Sequence, residues 1–161
     1  MYLRRSINPG DIDSAMKIVR TFGGSDDDLV KIQEYISQEF RELGDNRILY
    51  LAETSDRVVG MVQLVLRNAN NDAQLANGKD VAHVHALQIA KDLHRQGFGY
   101  LLMQQLEEEA RKSGLVRLTL GVDQDNEKAI HLYKKLGYVL FREANGRSPE
   151  VKLYYMQKSL S

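Results

Sequence analysis

Leu87-Gln-Ile-Ala-Lys-Asp-Leu-His-Arg-Gln-Gly97-Phe-Gly99-Tyr-Leu-Leu102 decides the fold of this chain. An apolar strand over residues 81–90 runs into it, and an amphipathic helix over about 97–113 leaves it. The helix stacks Leu102, Leu106 and Ala110 at i, i+4 and i+8 and stops at Gly114. Its i,i+4 pairs Glu107–Arg111 and Glu108–Lys112 are worth ~0.3–0.5 kcal/mol each. Glycine lets backbone N–H groups approach an anion with no Cβ in the way. A helix start adds positive charge, so the turn suits a phosphate or pyrophosphate. Alone, the two glycines read equally well as a tight strand–helix connection. A dinucleotide fingerprint is excluded, because Leu102 stands where its third glycine belongs, and a P-loop is excluded because no Gly-Lys-Ser/Thr follows.

Upstream, residues 2–7 read as a strand, Asn8-Pro9-Gly10-Asp11 as a turn, and 12–21 as a helix with Ile12, Met16 and Val19 on one side. Asp26-Asp27-Asp28 opens a second helix reaching Phe40, and three carboxylates suit a positive helix end better than a metal cluster. Residues 47–53 and 58–67 read as a hairpin, and 68–80, polar and Asn-rich, as a long loop. Downstream, 115–122 alternate, with Val116, Leu118, Leu120 and Val122 on one face and Arg117 and Thr119 on the other. A helix over 126–136 stops at Gly137, and strands at 138–143 and 151–158 flank a loop at 144–149. The order β-α-α-β-β-β-α-β-α-β-β predicts an α/β fold, with helices on the faces of one mixed sheet.

The 161 residues predict a single domain, 1–161, long enough to bury roughly two-thirds of the unfolded surface. Zero cysteines exclude a disulfide framework, a thiolate zinc site, an iron–sulfur cluster and a Cys nucleophile, and fit the cytoplasm. Net charge is 22 − 22 = 0, with no basic half or acidic tail, which argues against a nucleic-acid or membrane-surface role. Met1-Tyr-Leu-Arg-Arg-Ser lacks the apolar stretch of a signal peptide. No apolar run reaches the ~18 residues of a membrane span.

The stretch from Leu87 to Leu102 resembles motif A of the GNAT superfamily of N-acetyltransferases, a strand, then Arg/Gln-x-x-Gly-x-Gly/Ala, then a helix. The resemblance implies that backbone amides of Gln96, Gly97, Phe98, Gly99 and Tyr100 hold the pyrophosphate of acetyl-coenzyme A. The family's Arg/Gln position is His94 here, with Arg95 beside it; backbone donors do not depend on that side chain. Asp125-Asn126-Glu-Lys-Ala129-Ile130-His-Leu-Tyr133-Lys-Lys-Leu-Gly137-Tyr138 resembles motif B, N-x-x-A-x-x-x-Y-x-x-x-G-F/Y. Asn126, Ala129, Ile130, Tyr133 and Gly137 fall within about 100° of one helix face, a stripe that suits a groove beside the cofactor thiol with Asn126 and Ala129 against the cofactor, while His131 lies off it.

The implied reaction moves acetyl from a thioester directly to an amine. A backbone N–H within Leu87, Gln88 and Ile89 is the family's match for polarising the thioester carbonyl, and Tyr133 for protonating the leaving thiolate. A tyrosine of pKa ~10 keeps its proton at pH 7. In Val81-Ala-His83-Val-His85-Ala-Leu87-Gln-Ile89, period 2 places His83 and His85 on one face with Leu87 and Ile89. The two rings are candidate bases near neutrality. They read also as half-buried sheet histidines with cross-strand partners; a zinc site lacks a third ligand. His-x-His-Ala-Leu resembles the strand of the arylalkylamine N-acetyltransferases, whose paired histidines deprotonate the amine through water, and position 83 matches the catalytic Glu of related histone acetyltransferases.

The expectation is therefore an acetyl-coenzyme A-dependent N-acetyltransferase of the cytoplasm, acting on a small primary amine, without metal, and compatible with a homodimer. Rival readings are a protein N-terminal or lysine acetyltransferase, and a catalytically silent coenzyme A-binding sensor.

Overall fold

The computed structural model describes residues 1–6 and 8–161. Ile7, the last residue of the strand expected at 2–7, lies outside them. Two compact units emerge, Met1–Leu64 with Ala86–Leu106, and Val65–His85 with Glu107–Ser161. The strand β6 (Val81–Ile89) and the helix α3 (Phe98–Lys112) contribute residues to both.

In the first unit the strand order is β1-β2-β3-β6. β1 (Tyr2–Ser6) runs antiparallel to β2 (Arg47–Glu53), from Tyr2 opposite Glu53 to Ser6 opposite Leu49, and β3 spans Val58–Val65. A 3-10 turn at Pro9–Asp11 leads into α1 (Ile12–Arg20). Its apolar stripe, with Met16 and Val19, packs with Ile36 and Phe40 of α2 (Asp26–Phe40) on Leu49, Leu51 and Met61. The Asp triplet is a helix start as read: Asp28 N–H donates to Ser25 Oγ at 3.1 Å, and Ser25 N–H to Asp28 Oδ2 at 3.4 Å.

Gly60 of β3 is what lets β6 approach. A Cβ there would stand 2.8 Å from Ile89 Cδ1, 3.0 Å from Gln88 O and 3.1 Å from Leu102 Cδ1. Gly60→Ala is expected to destabilise the fold by about 1–3 kcal/mol through overpacking, read as a lower denaturation midpoint. An unchanged midpoint would show that the backbone at Gln88 gives way.

In the second unit the order is β6-β7-β9-β8. The first half of β6 is parallel to β7 (Arg117–Asp123), from Val81 opposite Arg117 to Val84 opposite Leu120. β9 (Val151–Ser159) is antiparallel to β7 and to β8 (Val139–Ser148), so the sheet is mixed. α4 spans Glu127–Leu136 and ends at Gly137, left-handed with φ +100°. No helix among the described residues is long and apolar enough to cross a membrane.

Three expectations are corrected. Residues 68–80 are not one loop: β4 (Arg67–Ala69) and β5 (Asp72–Asn77) form a hairpin. Its two-residue turn is Asn70-Asn71, φ +53° and +60°, the left-handed pair that asparagine tolerates in a type I′ turn. The loop at 144–149 is mostly strand, since β8 runs on to Ser148. Gly146 there faces Val151 O, which a Cβ would overlap. Of the two i,i+4 pairs, Glu107–Arg111 forms at 3.7 Å, with Arg111 also 3.6 Å from Glu108, whereas Lys112 pairs at i,i+3 with Glu109, at 3.3 Å, instead of with Glu108. Glu107 itself is buried, 2.6 Å from Lys158 Nζ.

Candidate functional site

The predicted site residues divide between the units: Leu87–Tyr100 lie in the first, and His83, His85, Asn126, Ala129 and Tyr133 in the second.

In the first unit, β6 ends where Ala90 N–H donates to Val59 O at 2.8 Å, and a 3-10 turn at Lys91–Leu93 follows. The turn is tied down on three sides. Lys91 N–H donates to Thr21 Oγ1 at 2.9 Å, Asp92 pairs with Arg57, and Gln96 Nε2 donates to Asp92 O at 3.3 Å. The Arg57 guanidinium also holds the Asp92 carboxyl below its usual range. His94 Nε2 donates to Ile89 O at 2.7 Å, and its ring lies 5.4 Å from that of Phe22. His94 is thus a brace of the loop.

Arg95 and Gly97 are both left-handed, φ +64° and +82°, and the chain turns there into α3. Gly97 O accepts from Leu101 N–H at 3.1 Å, so the N–H groups of Phe98 and Gly99 head the helix with no carbonyl four residues back inside it. No acidic residue occupies the first turn of α3. A Cβ on Gly97 would meet nothing within 4 Å. Uncrowded N–H groups at a positive helix end, without competing carboxylates, fit the pyrophosphate of a coenzyme A. On the strand before them, Gln88 Oε1 is buried with no hydrogen bond, an acceptor that an amide-bearing ligand would satisfy.

In β6, Ala86 has φ +54°. The pairing with β7 reaches Val84, and the four residues from His85 to Gln88 are half-buried in succession rather than in alternation. The alternation relating His83 to His85 lies before this break.

His83 is buried, and Nδ1 lies 2.8 Å from Thr119 Oγ1. Thr119 Oγ1 in turn donates to Leu75 O at 2.7 Å. The Tyr155 ring stands edge-on to His83 at 6.1 Å, and Tyr155 Oη accepts from Asn70 Nδ2 at 3.1 Å. Arg142 lies over the Tyr155 ring at 4.9 Å and binds Asp72 at 2.5 Å. The Asp72 carboxyl is held below its usual range by the Gln74 N–H and then by Arg142. Thr119 and Tyr155 went unread in the sequence. Thr119 was visible as the polar residue on the second face of its strand, but only the register of β6 on β7, His83 opposite Thr119, gives it a role.

Tyr133 is buried on α4, and burial pushes its hydroxyl up to about 12. Its ring meets Tyr138 at 5.9 Å, edge to face. Tyr138 is also raised, by burial and by the nearby Glu107 carboxylate. Asn126, expected beside the cofactor, is the N-cap of α4: its Oδ1 accepts from Ala129 N–H at 3.2 Å. That bond sets the start of the helix that carries Tyr133. His131 is exposed, as expected.

The Acetyltransferase (GNAT) family model matches residues 17–138. The chain is 25% identical over 140 residues to an uncharacterized N-acetyltransferase of Methanocaldococcus jannaschii, over 85% of this chain and 60% of that protein. It therefore spans about 60% of that relative's length. Among solved structures, an aminoglycoside 6′-N-acetyltransferase complexed with coenzyme A matches with TM-score 0.73 and 18% identity, over 100% of this chain and 98% of that one. The ribosomal-protein-S18-alanine N-acetyltransferase of Escherichia coli matches with TM-score 0.74 and 18% identity, over 99% and 95%. These two likenesses concern the fold. The family match covers the glycine turn and the helix of Tyr133 together, and on it the chain belongs to the GNAT family of acetyltransferases.

Proposed function

We propose that residues 1–161 act as one N-acetyltransferase domain that uses acetyl-coenzyme A to acetylate a primary amine of a small molecule in the cytoplasm. The observation that carries this reading is the left-handed, uncrowded Gly97 at the head of α3. Bound acetyl-coenzyme A supplies an activated thioester. The backbone N–H groups of Gln96 to Tyr100 receive its phosphates, with Arg95 as the adjacent cation. Gln88 and the backbone of Leu87 and Ile89 take the amide arm and the thioester carbonyl, and Ala129 leaves room on the face of α4. The Tyr133 hydroxyl gives a proton to the departing sulfur. His83, aided by His85, takes the amine's proton through water, since two positions i and i+2 on a strand are ~6.5–7 Å apart by strand rise.

Gly97→Ala forces a left-handed alanine into this turn and adds a Cβ beside the anion. Coenzyme A affinity should fall at least tenfold, ~1.4 kcal/mol, with phosphate-free pantetheine much less affected. Equal losses for both ligands would mean general distortion.

The reading is tested by thiol release from acetyl-coenzyme A over a panel of polyamines, arylalkylamines and aminoglycosides, with thermal stabilisation by coenzyme A measured alongside. Amine-dependent thiol release is expected. Stabilisation without turnover on any amine would favour a coenzyme A sensor. Turnover only on peptide N-termini would favour a protein acetyltransferase, a reading the likeness to the alanine N-acetyltransferase keeps in play.

A further inference from the structure

The hydroxyl of Thr119 has one proton, and the structure fixes where it goes. Leu75 O, 2.7 Å away, is a carbonyl and only accepts, so Thr119 Oγ1–H donates to it. The same oxygen lies 2.8 Å from His83 Nδ1. With its proton committed to Leu75, Oγ1 presents lone pairs to the ring, so Nδ1 carries a hydrogen. A neutral imidazole protonated at Nδ1 has its basic lone pair at Nε2.

We propose that Thr119 is a positioning residue for the catalytic base: it holds neutral His83 as the Nδ1–H tautomer, so that Nε2 is the atom that takes up the amine's proton. The proposal rests on the acetyl-transfer reading above. Thr119 and Leu75 are fully buried and His83 nearly so, and bulk water does not compete for these bonds. In the opposite tautomer, the Nδ1 and Oγ1 lone pairs would face each other, or Thr119 would have to abandon the buried Leu75 carbonyl. Either arrangement leaves a buried acceptor without a donor.

The step balances simply. An N–H bond of the amine breaks and the Nε2–H bond forms, directly or through one water. The ring becomes an imidazolium with both nitrogens protonated, and that proton later leaves to solvent. Thr119 Oγ1 accepts from Nδ1–H before and after, so no second proton moves. Groups near the ring include Thr119 on β7, the edge of Tyr155 on β9, the Asp72 carboxylate on β5 and Arg142 of β8 bound to that carboxylate, and His85 follows two residues on along β6. Asp72 interacts electrostatically with His83.

The test compares wild type, Thr119→Val and Thr119→Ser. Valine keeps the shape and removes the hydroxyl; serine keeps the hydroxyl. Nitrogen-15 NMR of the His83 ring reports the tautomer in the absence of any substrate. Wild type and Thr119→Ser should show Nδ1–H at the alkaline end of the His83 titration, and Thr119→Val should lose that preference. Thr119→Val should lower kcat about tenfold or more, short of the ~10⁴ lost when a catalytic triad's histidine takes the wrong tautomer. KM for amine and acetyl-coenzyme A should hold, and Thr119→Ser should restore kcat. An Nε2–H tautomer in wild type overturns the proposal, as does a Thr119→Val protein with unchanged tautomer and kcat. Should Thr119→Val fail to fold, the wild-type tautomer and the kcat of Thr119→Ser still decide. An Nδ1–H ring in a chain that acetylates no amine would instead overturn the transfer reading, and the base assignment with it.

Discussion

Tyr133→Phe is expected to lower kcat by ~10²–10⁴, the usual cost of losing a general acid, and to leave acetyl-coenzyme A binding nearly unchanged. The substitution keeps the edge contact with Tyr138 at 5.9 Å and deletes only the hydroxyl. Burial raises that hydroxyl to about 12, and an acid must hold its proton until the sulfur leaves. The raised value therefore extends the active range upward: Tyr133 causes no alkaline loss of rate until the pH nears 12. Stability follows the same sign. Unfolded tyrosine ionises near ~10, so the contribution of burying Tyr133 neutral is complete below that pH and is lost as pH rises through the folded value. Tyr133→Phe should flatten this part of the alkaline unfolding profile. An unchanged kcat, measured where chemistry limits the rate, would make Tyr133 a packing residue.

The double change His83→Ala/His85→Ala should lower kcat by up to ~10²–10⁴, more than either single change. His83→Ala should cost more than His85→Ala, because His83 is the ring bonded to Thr119. A neutral ring accepts the amine's proton and relieves the amine of losing it unaided. Without them the amine must reach neutrality unaided, and the acidic limb moves toward the free alkylamine value of ~10. The measurement is a pH–rate profile of both proteins at saturating acetyl-coenzyme A. Profiles that superimpose after scaling would make the pair structural and put the base elsewhere.

Much of this was legible because local chemistry and global fold agree. The Gly97 turn, the Gly114 and Gly137 stops and the Asp26–Asp28 helix start each depend on a few adjacent residues, and each appears where the residues place it. What went unread depends on partners distant in sequence. The Asn70-Asn71 turn makes a hairpin of a polar stretch, since left-handed asparagines close strands that composition alone disguises. Glu107 pairs with Arg111 on its own helix, but its contact with Lys158, 51 residues on, is not written in the helix period. The cap that Asn126 places on Ala129 N–H fixes the start of α4 and is likewise a hydrogen bond that the spacing does not state. The left-handed Ala86 carries no glycine or asparagine to announce it, and period 2 fails there. The bond from His83 to Thr119 crosses two strands whose register no periodicity specifies. For the site, the residue types were readable and their hydrogen-bond partners were not.

The most direct test of acetyl transfer is mass spectrometry of both amine and protein after a single turnover with acetyl-coenzyme A. The account predicts one acetyl group gained by the amine, an equal amount of free coenzyme A, and no acetylated protein when the amine is omitted. Acetyl retained on the protein without amine, or thiol release that no amine accelerates, would contradict direct transfer.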